Sequence, residues 1–262
     1  KRLNNGIFAY GVHIMDYEIR PLTQGFGAEV FGLDLSAGFS DNLAQDLVGA
    51  WVDAGGLMVI HNQTLSSEQH IALSRHFGPL FGDPDESPLQ DTVGRYIHPD
   101  HPEIYRVSNQ VSTDGKPKGR KGAGTYWHSD VSFRDRPAQA SLLHAKTIPP
   151  VGGDTIFADQ AAAYEALSDG MKAILAPLFA WHDFEVAART QYAKPVIVEN
   201  DMDGANRARH PLVRTKPEKN SKSLFVNPGF TSHIDGRDAA ESRAILDFLY
   251  KHSIQPQFLY RH

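Results

Sequence analysis

The stretch Thr125-Tyr126-Trp127-His128-Ser129-Asp130-Val131-Ser132-Phe133 places a histidine and an aspartate two positions apart. In a strand, residues i and i+2 point to one face. Extended backbone here would therefore set the His128 imidazole beside the Asp130 carboxylate. Two such donors, joined by a distant second histidine, make the 2-His-1-carboxylate triad that holds Fe(II) and leaves coordination positions open. The same triplet also arises by chance as a surface hydrogen bond, so its surroundings decide between the readings.

Upstream, residues 80–126 are loop-rich, with Pro84, Pro88, Pro99, Pro102 and Pro117 interrupting regular structure. One strand is expected over 104–109. The run Lys116-Pro117-Lys118-Gly119-Arg120-Lys121-Gly122 is a basic, glycine-bearing loop. It is either a solvated connection or a flap that steers anions toward the motif.

Further toward the N-terminus, residues 1–16 carry no period and read as an extension. Strands follow at 18–22 and 28–35, then a helix capped by Ser40 and ended at Gly55-Gly56, a buried strand at 57–60, and a helix opened by a Ser66/Gln69 capping box. Downstream of the motif, strands are expected at 140–146 and 153–157, helices capped by Asp159 and Ser168, and a strand at 178–184. An insertion loop is expected over 186–209, followed by strands at 210–214 and 223–227. A helix at 237–253 is expected to turn Ala240, Ile245, Phe248 and Leu249 inward, ahead of a strand at 257–261. Many short strands with a few covering helices indicate a mainly β protein with flanking helices, a jelly-roll or barrel rather than a βαβ fold.

Composition removes several classes. The chain has 262 residues, 41% of them hydrophobic and 22% charged, and a net charge of −5. That is an ordinary globular balance, with no basic excess that would point to nucleic acid. There is no cysteine, so thiolate metal sites, disulfides and cysteine nucleophiles are excluded, leaving histidine and carboxylate as the metal ligands. No apolar run is long enough to span a bilayer, and the opening lacks a signal-peptide core. A cytoplasmic protein is expected, without nucleic-acid or membrane partners; a homo-oligomer is left open.

Together with Tyr126–Phe133, four further blocks carry a family resemblance. They are Pro149-Pro150-Val151-Gly152-Gly153-Asp154-Thr155, Ala163-Tyr164-Glu165-Ala166-Leu167-Ser168, His210-Pro211-Leu212-Val213-Arg214-Thr215 and Leu224-Phe225-Val226-Asn227. In their order and spacing they resemble the TauD/TfdA family of Fe(II)- and 2-oxoglutarate-dependent dioxygenases. The resemblance implies a double-stranded β-helix (jelly-roll, cupin-like) core in a single domain over 1–262. It also implies hydroxylation of an unactivated C–H of a small organic substrate with O2, giving succinate and CO2.

By the same resemblance His128 and Asp130 are iron ligands, and the Thr155 hydroxyl binds a carboxylate of 2-oxoglutarate. Retention of Asp130 argues for hydroxylation rather than halogenation. The family's second histidine ligand and its 2-oxoglutarate-binding arginine are expected beyond residue 262; His210, His233, His252 and His262 do not match that histidine. Asp83 stands where taurine dioxygenases carry a sulfonate-gripping histidine, so taurine is not the expected substrate. Asn109, Lys116, Phe133 and Phe230 are the other candidate substrate residues. The contrasting class is a non-catalytic jelly-roll binding protein that has lost the complete metal site.

Overall fold

The computed structural model describes residues 17–81, 96–190 and 206–262. The chain divides into two compact units, residues 1–77 with 142–148, and residues 78–141 with 149–262.

In the first unit, β1 (Glu18–Pro21) runs antiparallel to β2 (Ala28–Phe31), which lies parallel to β3 (Met58–Ile60). The parallel pair needs a crossover, supplied by α1 (Asp41–Asp53), whose first turn is closed by the Ser40 hydroxyl accepting from Leu43 N at 3.2 Å. β2 stops earlier than the sequence pattern suggests because Gly32 takes a φ of 78° and turns the chain. The second helix, α2 (Ser67–Arg75), opens with the expected capping box between Ser66 and Gln69. Val30, Leu33, Leu35, Leu47, Leu65 and Leu73 form this unit's core.

The strand expected over 140–146 is not formed. Its backbone and its side chains instead serve as a clasp within the unit. His70 Nε2 donates to the Leu142 carbonyl at 3.1 Å, His144 Nε2 to that of Gln63 at 3.3 Å, and Lys146 Nζ to that of Leu65 at 2.7 Å. Pairing made by side chains leaves no ladder for a strand to join.

The second unit holds the motif. A small hairpin, β4 (Ile97–His98) with β5 (His101–Tyr105), overlaps the strand expected over 104–109 only at 104–105; beyond it Val107 makes a single bridge to Arg120. β6 (Ile156–Ala158) pairs antiparallel with β12 (Leu259–Arg261), with α3 (Gln160–Glu165) and α4 (Asp169–Leu175) following β6. The central element is β7 (Phe179–Asp183), flanked by β8 (Arg207–Pro211) and β11 (Thr231–Ile234), both antiparallel to it. β9 (Val213–Lys216) and β10 (Ser221–Leu224) form a hairpin. The expected insertion loop begins instead as a helix, α5 (Phe184–Thr190), and ends within β8; its middle, 191–205, lies outside the described residues.

The long helix α6 (Ala239–Ser253) opens on a capping box between Asp238 and Glu241. Its buried stripe is Ser242, Leu246, Leu249 and Ser253; of the residues expected inward, Leu249 is fully buried and Ile245 packs on the core, whereas Ala240 and Phe248 are exposed. Serines hold the inner positions because their hydroxyls are satisfied there. Ser242 Oγ accepts from Ile234 N at 3.1 Å, and Ser253 Oγ donates to the Leu249 carbonyl at 2.6 Å. Leu246 and Leu249 join Leu175, Leu212, Leu224 and Ile234 in the main core, each fully buried leucine contributing about 1.5–3 kcal/mol. Among the described residues no helix is long and apolar enough to cross a membrane.

Candidate active site

Residues 128–134 run through two successive turns, not the strand that the His-x-Asp spacing suggested. Ser132 N donates to the Ser129 carbonyl at 3.4 Å and Arg134 N to that of Val131 at 3.0 Å, with Val131 at a φ of 46°. Val131, left-handed directly after Asp130, bars a strand from continuing past the carboxylate. His128 Nε2 lies 3.2 Å from Asp130 Oδ1.

Each side chain is oriented by its far end. His128 Nδ1 donates to the Tyr126 carbonyl at 2.7 Å, which in the neutral ring leaves the lone pair on Nε2, the atom facing the carboxylate. Asp130 Oδ2 accepts from Ser141 Oγ at 2.5 Å, leaving Oδ1 toward the imidazole. The shared hydrogen bond raises the His128 pKa, against the opposing effect of burial. It also holds the Asp130 carboxyl below the usual carboxylate range, with Ser141 adding to the effect.

Beneath the pair lies an aromatic floor. Phe230 meets His128 edge-on at 6.2 Å between centroids, Phe133 packs on Phe230 at 5.0 Å and on Phe184 at 5.2 Å, and Tyr126 lies 4.9 Å from His128. Ala187 and Ala188 of α5 are buried in the same cluster. Gly229 lets this floor close: a Cβ there would stand 2.6 Å from Tyr126 Cε2 and 3.1 Å from His128 Cβ. Sequence reasoning missed Gly229, which carries no side chain to mark it.

Sequence reasoning also missed a buried polar group under the turn. Ser132 is fully buried, and its hydroxyl contacts His182 Nδ1 at 3.0 Å and accepts from Asn227 Nδ2 at 3.2 Å. Asn227 Oδ1 in turn accepts from Phe230 N at 2.8 Å, and His210 Nε2 donates to the Arg134 carbonyl at 2.9 Å. Burial lowers the His182 pKa to about 4.

The other expected residues are more scattered. Thr155 is exposed and pairs through its backbone with His262, N to O at 3.0 Å and O to N at 2.9 Å. Asn109 is exposed, and Lys116, 81% exposed, is ion-paired with Asp114 at 2.9 Å; neither bonds to the His128–Asp130 pair. Their loop is nonetheless ordered by bridges between Val107 and Arg120 and between Val111 and Pro117. Asp83 lies outside the described residues. His210 is buried in β8, and His252 donates to the Ala163 carbonyl at 2.7 Å between Phe248 and Phe258. Among the described residues no group of three histidines or carboxylates could hold a metal ion.

Comparison with known proteins bears on this arrangement. The profile described as "Taurine catabolism dioxygenase TauD, TfdA family" matches residues 18–262. The chain belongs to the TauD/TfdA family. It is 33% identical to the alpha-ketoglutarate-dependent 2,4-dichlorophenoxyacetate dioxygenase of Cupriavidus pinatubonensis, over 95% of this chain and 86% of that one. It is 31% identical to the (S)-phenoxypropionate/alpha-ketoglutarate-dioxygenase of Sphingobium herbicidovorans, over 94% and 82%. Among solved structures it resembles AAD-2 in complex with Mn(II) and N-oxalylglycine, with a TM-score of 0.72 and 28% identity over 94% of this chain and 83% of that one. This TauD/TfdA protein is an oxidoreductase, a dioxygenase of small organic substrates that uses Fe(II), alpha-ketoglutarate (2-oxoglutarate) and O2. The His128 and Asp130 donors fit such an ion: a neutral imidazole nitrogen with its tautomer fixed and a carboxylate oxygen directed at the same point suit a divalent first-row metal.

Proposed function

We propose that His128 and Asp130 are two of the three protein ligands of Fe(II), the third being a histidine downstream of residue 262, and that Thr155 binds a carboxylate of 2-oxoglutarate. The observation that carries this reading is the convergence of His128 Nε2 and Asp130 Oδ1 at 3.2 Å while Nδ1 and Oδ2 are engaged elsewhere. Bound Fe(II) supplies O2 activation and the oxidation of 2-oxoglutarate to succinate and CO2.

The chain's own groups orient, anchor and exclude water. Tyr126 fixes the imidazole, Ser141 fixes the carboxylate, and Phe133 and Phe230 keep water from beneath the pair. We assign the strands to a double-stranded β-helix core within one dioxygenase domain. The substrate is a small organic compound other than taurine, held near Phe133 and Phe230, with Asp83, Asn109 and Lys116 as further contacts.

The test uses the full-length protein without O2. Fe(II) and 2-oxoglutarate should produce the weak visible charge-transfer band of the chelate, absent from His128→Ala and from Asp130→Ala. A full-length protein with no band, or a band that survives both substitutions, overturns the assignment.

A further inference from the structure

A strained residue separates the second of these ligands from a buried polar anchor. Val131 has a φ of 46°, a conformation that persists in a β-branched residue only where its surroundings impose it. Its neighbour on one side is Asp130, half-exposed and free to swing apart from its contacts with His128 and Ser141. Its neighbour on the other side is Ser132, with no exposed surface, whose hydroxyl is gripped by His182 and Asn227.

Those two partners come from rigid parts of the unit. His182 lies on β7, the middle strand of its sheet, and is itself fully buried with its ring stacked on Phe225 at 5.2 Å. Asn227 is locked by four bonds besides the one to Ser132. Its backbone N donates to Thr231 Oγ1 at 2.9 Å, Oδ1 accepts from Phe230 N at 2.8 Å, and its carbonyl accepts from Thr231 N at 3.0 Å and from Tyr250 Oη at 3.3 Å.

We propose that Ser132 is a positioning residue for the iron site: through its bonds to His182 and Asn227 it holds the turn in its left-handed form and so places Asp130 Oδ1 against His128 Nε2. The inference rests on the metal reading above and extends it to three residues that touch neither metal nor substrate. Without the anchor, Val131 relaxes toward negative φ, and the carboxylate moves off the imidazole although both ligands are still present.

The experiment titrates the full-length protein with Co(II) alone, a divalent probe read by its visible d–d absorption, alongside thermal unfolding. The variants are Ser132→Ala, His182→Leu and His182→Asn, with His128→Ala as the control for site binding. Ser132→Ala and His182→Leu should weaken Co(II) about tenfold and alter the band shape. That is the low end of the roughly 10–100-fold range for groups supporting metal ligands, because the effect passes through backbone. His182→Asn, whose amide reaches the same hydroxyl, should recover most of the affinity.

Ser132→Ala with wild-type affinity and band shape overturns the proposal even if its melting temperature falls, since that result marks a structural role only. His182→Asn as weak as His182→Leu also overturns it. Should His182→Leu fail to fold, Ser132→Ala, which removes a single oxygen, decides alone. Failure of the metal reading looks different: the unsubstituted protein then binds Co(II) no better than His128→Ala, and both inferences fall together.

Discussion

Gly229→Ala is the sharpest perturbation the structure offers, because it adds one methyl where there is no room. The new Cβ would lie 2.6 Å from Tyr126 Cε2, 2.8 Å from Tyr126 Cδ2 and 3.1 Å from His128 Cβ. Carbon atoms rest at about 3.5–4.0 Å, so the Tyr126 ring must retreat by roughly 1 Å. The Tyr126 carbonyl holds His128 Nδ1, so that retreat reaches the imidazole. Overpacking of this kind costs about 1–3 kcal/mol, which for a chain of this size lowers the melting temperature by roughly 2–10 °C. The catalytic loss should be larger, since a displacement of about 1 Å can cost about a hundredfold in rate. The assay is succinate release under O2, paired with a melting curve and the anaerobic 2-oxoglutarate chelate band. Adding Tyr126→Leu to Gly229→Ala removes the clashing ring atoms and should return part of the lost stability. A Gly229→Ala protein with unchanged melting temperature and chelate band would refute the close approach of this glycine to the histidine.

Thr155→Val should weaken the 2-oxoglutarate chelate about 10–100-fold with Co(II) binding unchanged, the cost of one hydrogen bond to a charged group of about 1.5–3 kcal/mol; equal loss of both would mean that the threonine acts on the metal instead. His182, lowered to about 4 by burial, binds its proton in the unfolded chain first, at about pH 6.5. Its contribution is therefore complete above about pH 6.5 and lost as pH falls toward 4, at most about 3 kcal/mol; urea midpoints measured from pH 7 to 4 should fall less steeply in His182→Asn. His210, also lowered by burial, adds to the slope in the same direction. Gly119→Ala places a Cβ 2.8 Å from the Arg106 carbonyl oxygen and 2.9 Å from Ser108 N; backbone atoms cannot step aside, so the 107–120 loop should become a preferred site of limited proteolysis while the melting temperature moves little. An unchanged cleavage pattern would contradict that packing.

What could be read from the sequence divides by range. The capping box at Ser66/Gln69 and the caps at Ser40, Asp159 and Ser168 are formed as expected because every atom they need lies within one turn. The pairing of His128 with Asp130 was legible for a similar reason: two side chains at short spacing remain neighbours under more than one backbone conformation. The conformation itself was not legible, because β-branched Val131 and aromatic Phe133 favour a strand and the anchors that override this preference, His182 and Asn227, stand 50 and 95 residues from Ser132. The clasp at 142–148 escaped notice on the same ground, with Lys146 bonding across 81 residues. The inner stripe of α6 was legible at Ile245 and Leu249 but not at Ser242 and Ser253, which count as polar in any hydrophobic pattern, whereas their hydroxyls are satisfied by backbone groups.

These mismatches are not equivalent. The clasp and the serine stripe each replace one satisfied arrangement by another and imply no cost. The turn at Val131 does imply one. Among the described residues three non-glycines have positive φ, and two of them, Asn62 and Asn220, are of the type that tolerates it. Val131 is not, and an asparagine or glycine there would relieve about 1–2 kcal/mol of strain. A valine at that place makes sense if its partly buried side chain, packed on the Phe133–Phe230 floor, and the grip on Ser132 together permit only one arrangement of the turn. A permissive residue would allow several, and the separation of His128 and Asp130 would vary with them. Local preference is therefore overruled at the step between Asp130 and the Ser132 anchor, where a fixed geometry would matter more to the proposed metal site than the stability lost in imposing it.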